Sequence, residues 1–173
     1  MSRTIGSGKD ELEVLYAAIA IEEFGIEFYH RLEKCVAEEG GKALMRGLAR
    51  DEAHHRQVIL DEVRRITGGK VEQRRVDLTG YGIEPSKVFM SLPTDRCLTI
   101  KEEMEVLKVG MEVERRSIDM YASAAKDSID EEVRGRLLQL VDIERGHLRL
   151  LEENEHMLRM EGSWYGYTPI LEG

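Results

Sequence analysis

The sequence predicts an all-α protein, a four-helix bundle made of two helical hairpins joined by a long crossover. Three observations predict it. Glu, Arg, Leu, Met and Ala dominate the chain and proline occurs only at Pro85, Pro93 and Pro169, a composition suited to long helices. Four stretches carry helical apolar periodicity between capping residues and glycines. These stretches fall into two pairs with short internal turns, and residues 68–98 between the pairs have a different character.

The first helix is expected over residues 10–37. Asp10 can cap it with Glu13 three residues on, apolar positions recur through Leu15, Ala18, Ile19 and Ile26, and Gly40-Gly41 ends it. The second is expected over 42–66, stopping at Gly68-Gly69. The crossover 68–98 holds two of the prolines and no sustained helical period, apart from a short turn opened by Pro85. The third helix is expected over 99–125, started by the capping box Thr99/Glu102, and the fourth over 128–160, started in the same way by Ser128/Glu131. The tail 161–173 is not helical by pattern. Its Trp164, Tyr165 and Tyr167 are expected to dock on the bundle or on a second subunit. Helices of about 25 residues are about 38 Å long, so the crossover must run from one end of the bundle to the other. One long crossover is the ferritin-like arrangement among four-helix bundles.

The bulk numbers bound the function. The 173 residues suit one domain with a sizeable core, spanning 1–173. A formal net charge of -9 argues against nucleic acid as a partner. Cys35 and Cys97 lie far apart in sequence, which excludes a disulfide scaffold, a four-cysteine zinc site and a rubredoxin-type iron centre; both are expected to be buried or incidental. The N-terminal MSRTIGSGKDELEV lacks the apolar core of a signal peptide, and no stretch is long and apolar enough to span a membrane. A cytoplasmic protein is expected.

An internal repeat carries the chemistry. At an offset of 92 residues, Glu22 falls on Glu114, Gly25 on Ser117, Phe28 on Met120 and Tyr29 on Tyr121. Leu48 falls on Leu140, Glu52 on Glu144 and His55 on His147. The first Glu precedes the second by 30 residues in both halves. Each half therefore reads Glu, then Glu-x-x-His, in one register. Residues three apart share a helix face, so Glu52 with His55, and Glu144 with His147, can each reach one point. Two such hairpins related by a pseudo-two-fold bring four carboxylates and two imidazoles to mid-bundle. Buried without metal, the carboxylates repel one another and some must bind protons. Two divalent ions neutralise four carboxylates. An oxygen-rich set with two imidazoles suits iron or manganese, with zinc as a substitute.

These residues resemble the ferritin-like di-iron carboxylate proteins, most closely the erythrin part of rubrerythrin, over about residues 10–160. The resemblance implies two iron ions held by Glu22, Glu52, His55, Glu114, Glu144 and His147. It implies that Glu52 and Glu144 bridge the ions, that Glu22 and Glu114 are terminal, that each His completes one ion, and that Tyr29 and Tyr121 lie beside the cluster. Two departures stand out. Rubrerythrin has a second acid three residues after its third-helix ligand, where this chain has Ser117, so the carboxylate exchange tied to its peroxide chemistry is not implied here. Rubrerythrin also carries a rubredoxin-like domain, which has no counterpart in these residues. Electrons are expected from a separate protein or from Fe²⁺ itself.

The remaining residues refine the site. Glu23 and Glu112 are out of register with the repeat and should point elsewhere. Asp51 lies four residues before His55 and is placed to orient a histidine of the facing helix, as carboxylates behind metal-bound histidines do; its repeat partner is Ile143, so this role is one-sided. Gly25 and Ser117 serve either close helix packing or room for a small oxidant. His30, His54 and His156 are expected at the surface. Peroxide reduction or Fe²⁺ oxidation with H₂O₂ or O₂ is the expected chemistry, in a homodimer. Iron storage or delivery, an oxygenase acting on an organic molecule, and a metal-free interaction bundle are the alternatives.

Overall fold

The computed structural model describes residues 8–90, 92, 93 and 95–170, with side chains from residue 11 onward. The helices are α1 (Gly8–Cys35), α2 (Glu39–Thr67), α3 (Pro85–Met90), α4 (Ile100–Asp127) and α5 (Glu131–Glu161), and a 3₁₀ turn covers Leu78–Tyr81. α1 packs along α2 and α4 along α5; α1 also meets α4, and α2 meets α5. The result is an all-α, ferritin-like four-helix bundle. The sequence anticipated the short helix α3 but not the 3₁₀ turn, which Asp77 caps by accepting from the Thr79 amide at 3.0 Å. The crossover is tied to the bundle by buried Leu78, Ile83, Leu92 and Leu98, and by the Glu72 amide donating to the Tyr16 hydroxyl at 2.9 Å.

Several helix boundaries differ from expectation, and those at Gly40-Gly41 and Ser128 differ for a packing reason. α1 starts at Gly8, so Asp10 lies inside the helix; its side chain is outside the described residues. α1 ends at Cys35, and Gly40 and Gly41 sit in the first turn of α2 instead of terminating α1. A Cβ on Gly41 would lie 2.6 Å from Trp164 Cε2, so this glycine admits a tryptophan ring. Ser128 does not cap α5. Its hydroxyl donates to Glu11 Oε1 at 2.7 Å, and Asp130 caps instead, accepting from the amides of Glu132 and Val133. The Thr99/Glu102 capping box forms as expected, and Gly68 and Gly162 close α2 and α5 in the left-handed region at φ 66° and 69°.

The apolar core is split in two. One cluster holds Phe24, Phe28, Leu32, Leu44, Leu48, Leu107 and Leu151; the other holds Leu15, Ile19, Ile59, Val63, Leu137 and Val141. Each long helix contributes to both. The boundary falls at Glu22 on α1, at Glu52 and His55 on α2, at Glu114 on α4 and at Glu144 and His147 on α5. The bundle thus buries a polar layer between two apolar ones.

Candidate metal centre

The six predicted ligand positions converge in that layer. Glu22, Glu52, His55, Glu114, Glu144 and His147 are each at most 4% exposed. α1 runs antiparallel to α4, and α2 to α5, so the repeat produces the expected pseudo-two-fold. The two imidazole rings face each other with centroids 5.3 Å apart.

Each ExxH carboxylate spans the two histidines. Glu52 Oε2 lies 3.3 Å from His55 Nδ1, while its Oε1 lies 3.5 Å from His147 Nδ1. Glu144 Oε1 lies 3.2 Å from His55 Nδ1, and its Oε2 lies 2.8 Å from His147 Nδ1. Glu22 closes the His55 side, with Oε2 3.6 Å from Nδ1, and Glu114 closes the His147 side at 4.0 Å. Two adjacent places result, each facing one imidazole, one private carboxylate and one oxygen from each of Glu52 and Glu144. One donor atom from each of Glu52, His55, Glu144 and His147 falls within 4.8 Å of the other three.

The electrostatics fit a cation pair. Burial, and then the charge of Glu52, push the carboxyls of Glu22 and Glu114 well above the usual range. Burial acts the same way on Glu52 and Glu144, but hydrogen bonds from Glu22 and His147 hold Glu52 well below its usual value, and the His147 and His55 charges lower Glu144. Burial would lower both histidines, yet the facing carboxylates, Glu144 foremost, raise them strongly. The metal-free layer therefore balances itself with protons, as four crowded carboxylates must. Glu22 Oε2, His55 Nδ1, Glu144 Oε1 and His147 Nε2 remain buried without a hydrogen-bond partner. Three of these four atoms face the centre at 3.2–3.6 Å without the alignment of a hydrogen bond, as donor atoms aimed at common points are. The oxygen and imidazole donors suit iron or manganese.

The Tyr29 hydroxyl donates to Glu114 Oε1 and the Tyr121 hydroxyl to Glu22 Oε1. Each tyrosine thus serves the carboxylate of the opposite hairpin. Burial, and then the charge of that same Glu, keep both phenols protonated. Asp51 Oδ2 lies 3.6 Å from His147 Nε2, on the ring edge opposite the carboxylates. A Cβ on Gly25 would lie 3.2 Å from Glu52 Cγ, so this glycine gives Glu52 its place. The Ser117 hydroxyl is turned back to the Val113 carbonyl at 3.1 Å. Glu23 and Glu112 point outward to Arg56 and Arg116, and His30, His54 and His156 are exposed. Cys35 is buried, with its thiol donating to the Pro93 carbonyl, and Cys97 is exposed.

Two features were not legible from the pattern. A cleft of about 460 Å³ between α2 and α5 reaches His55, lined also by His54, Val58, Arg136, Arg149 and Ile170. Tyr167 of the tail donates to Asp51 Oδ2 at 2.6 Å. The only local sign of the latter is the glycine-spaced aromatic run GSWYGY.

Comparison with known proteins bears on the fold and the family. No curated protein matches the sequence. A hypothetical protein from Pyrococcus furiosus, Pfu-1136390-001, is similar in structure with a TM-score of 0.68, at 23% identity, over 85% of this chain and 89% of its own. The bacterioferritin-related protein of Bacteroides fragilis, described as a dodecameric thioferritin, is similar with a TM-score of 0.66, at 20% identity, over 91% of each chain. The family model described as Rubrerythrin matches residues 13–155, which include all six residues of the polar layer, and the chain belongs to the rubrerythrin family.

Proposed function

We propose that this chain is a di-iron carboxylate protein that reduces hydrogen peroxide or dioxygen. The observation that carries it is the spanning of His55 and His147 by both Glu52 and Glu144, each with one oxygen toward each imidazole. Glu22 and Glu114 are the terminal ligands in this reading. A ferrous pair held by these residues would supply two electrons together, enough with two protons to take H₂O₂ to two waters without releasing a one-electron product. The residues do the rest. The apolar clusters above and below the layer exclude water and competing reductants. Tyr29 and Tyr121 hold the terminal carboxylates by hydrogen bonds and keep their protons. The cleft that ends at His55 is wide enough for a small oxidant and has Arg136, Arg149 and His54 on its walls.

A storage reading has one observation in its favour, the description of the Bacteroides fragilis neighbour as a dodecameric thioferritin. The peroxidase reading instead expects a small assembly, a homodimer. Sedimentation distinguishes the two, since a cage-sized particle would favour storage.

The central test is metal content followed by kinetics. Protein from iron-supplied cells should carry two metal ions per chain, and Glu144→Ala should not. Anaerobic stopped-flow of the Fe²⁺-loaded protein should show faster oxidation by H₂O₂ than by O₂. No metal, and no uptake by the metal-free protein under anaerobic Fe²⁺, would end the proposal. Dominant reaction with O₂ would move it to a ferroxidase or oxidase.

A further inference from the structure

We infer that residues 164–170 form a strap that positions one half of the metal centre, with Tyr167 acting through Asp51 on His147. The inference rests on the metal-centre reading above and adds a positioning residue outside the repeat.

The strap is built into the helices it crosses. Three glycines of α2 and α5 leave room for it, although glycine is a poor helix residue. A Cβ would lie 2.6 Å from Trp164 Cε2 at Gly41, 2.2 Å from Tyr167 Cδ2 at Gly47, and 2.9 Å from Ile170 Cδ1 at Gly146. The strap therefore runs from the first turn of α2 along the α2–α5 groove to the level of His147. It is fixed on the way by polar contacts. Trp164 Nε1 donates to Glu103 Oε2 at 3.2 Å, and the buried Asn154 side chain exchanges hydrogen bonds with both the amide and the carbonyl of Gly166.

Tyr167 is the point at which the strap meets the site. Its ring covers Gly47, and its hydroxyl accepts from Arg50 Nη2 at 2.8 Å and donates to Asp51 Oδ2 at 2.6 Å. That same Asp51 oxygen faces His147 Nε2 at 3.6 Å. An imidazole is aimed at a metal by the partner of its other nitrogen. Asp51 is the carboxylate that faces this otherwise unpartnered nitrogen of His147, close enough to orient it once the ring turns toward a metal, and Tyr167 fixes which way the Asp51 carboxylate turns. Among the described residues the other half shows no matching carboxylate: Ile143 occupies the repeat position of Asp51, and His55 faces the cleft. The pseudo-symmetric ligand set therefore becomes unequal, with a braced place at His147 and an open one at His55.

Anaerobic Co²⁺ titration of the full chain tests this through affinity and the visible cobalt spectrum, both independent of turnover. Tyr167→Phe keeps the ring on Gly47 and removes only the hydroxyl. It should weaken one of the two cobalt ions by about tenfold and change part of the cobalt spectrum. Gly47→Ala, which displaces the ring, should do the same and expose the tail to limited proteolysis. Tyr165→Phe, at an exposed neighbour, should change neither. Cobalt affinity and spectrum in Tyr167→Phe identical to wild type would overturn the strap's role while leaving the metal centre standing. A wild-type chain that takes up no cobalt would overturn the metal-centre reading and this inference with it.

Discussion

Replacing Gly25 by alanine should move the metal-free and metal-loaded proteins in opposite directions. Gly25 lies in the middle of α1, where alanine is favoured over glycine by about 1 kcal/mol through helix propensity. For a chain of this size that corresponds to a melting shift of about 2–4 °C. Against it stands the contact of the new Cβ with Glu52, at 3.2 Å from Cγ, 3.3 Å from Cδ and 3.4 Å from Oε1. These are closer than ordinary van der Waals contact by a few tenths of an ångström. Without metal, the Glu52 side chain can swing by that amount, and most of the helix gain survives. With metal bound as proposed, both Glu52 oxygens would be engaged, and ligand distances hold to within about 0.2 Å. The variant should therefore lose about tenfold or more in metal affinity, about 1.4 kcal/mol. Paired calorimetric melts of metal-free and Mn²⁺-loaded protein measure both effects. The metal-free Gly25→Ala protein should melt slightly above wild type, and its metal-induced rise in Tm should shrink. A metal-free variant melting below wild type with an undiminished metal-induced rise would refute the reasoning, because Gly25 would then matter for helix packing and not for Glu52.

Tyr29→Phe removes the donor to Glu114 Oε1 in a fully buried setting; it should lower metal-free stability by roughly 1–3 kcal/mol, keep two metal ions and alter the oxidation rate, as melts, elemental analysis and stopped-flow would check. Metal uptake should release protons and weaken as pH falls, because Glu22, Glu114, His55 and His147 all have raised pKa values in the metal-free layer and hold protons that the ions must displace; calorimetry in buffers of different ionisation enthalpy measures the release, and a pH-independent affinity would contradict it. Glu11 Oε1 accepts from Ser128 Oγ, Ile129 N and Asp130 N, and although burial pushes its carboxyl up, these bonds outweigh burial and lower it. A lowered folded pKa gives stability that is present above the unfolded value of about 4.3 and lost as pH falls through the folded one. Glu11→Ala should accordingly be destabilised at neutral pH, and the gap from wild type should narrow in melts taken below about pH 4.

The sequence by itself determined the bundle, the crossover and the content of the polar layer. Helical periodicity and the three-residue spacing of Glu52/His55 and Glu144/His147 are local properties, and local geometry fixes which side chains share a face. The 92-residue repeat then supplied the long-range information, since two equal hairpins meeting about a pseudo-two-fold must bring equal positions together. Where neither local spacing nor the repeat spoke, the sequence was silent or misleading. Gly40 and Gly41 have the signature of a helix stop, yet they admit Trp164, which lies more than a hundred positions away in the chain. Ser128 has the signature of a cap, yet its hydroxyl is taken by Glu11 from the first helix. Tyr29 shares a face with Glu22, yet its hydroxyl reaches Glu114, because a side chain at a bundle core extends across to the neighbouring helix. The strap over α2 and α5 and the pairing of Tyr167 with Asp51 have no counterpart in the repeat, so no internal comparison reveals them. Tertiary packing decided these features, because a contact between residues far apart in the chain depends on which surfaces meet once the helices are docked.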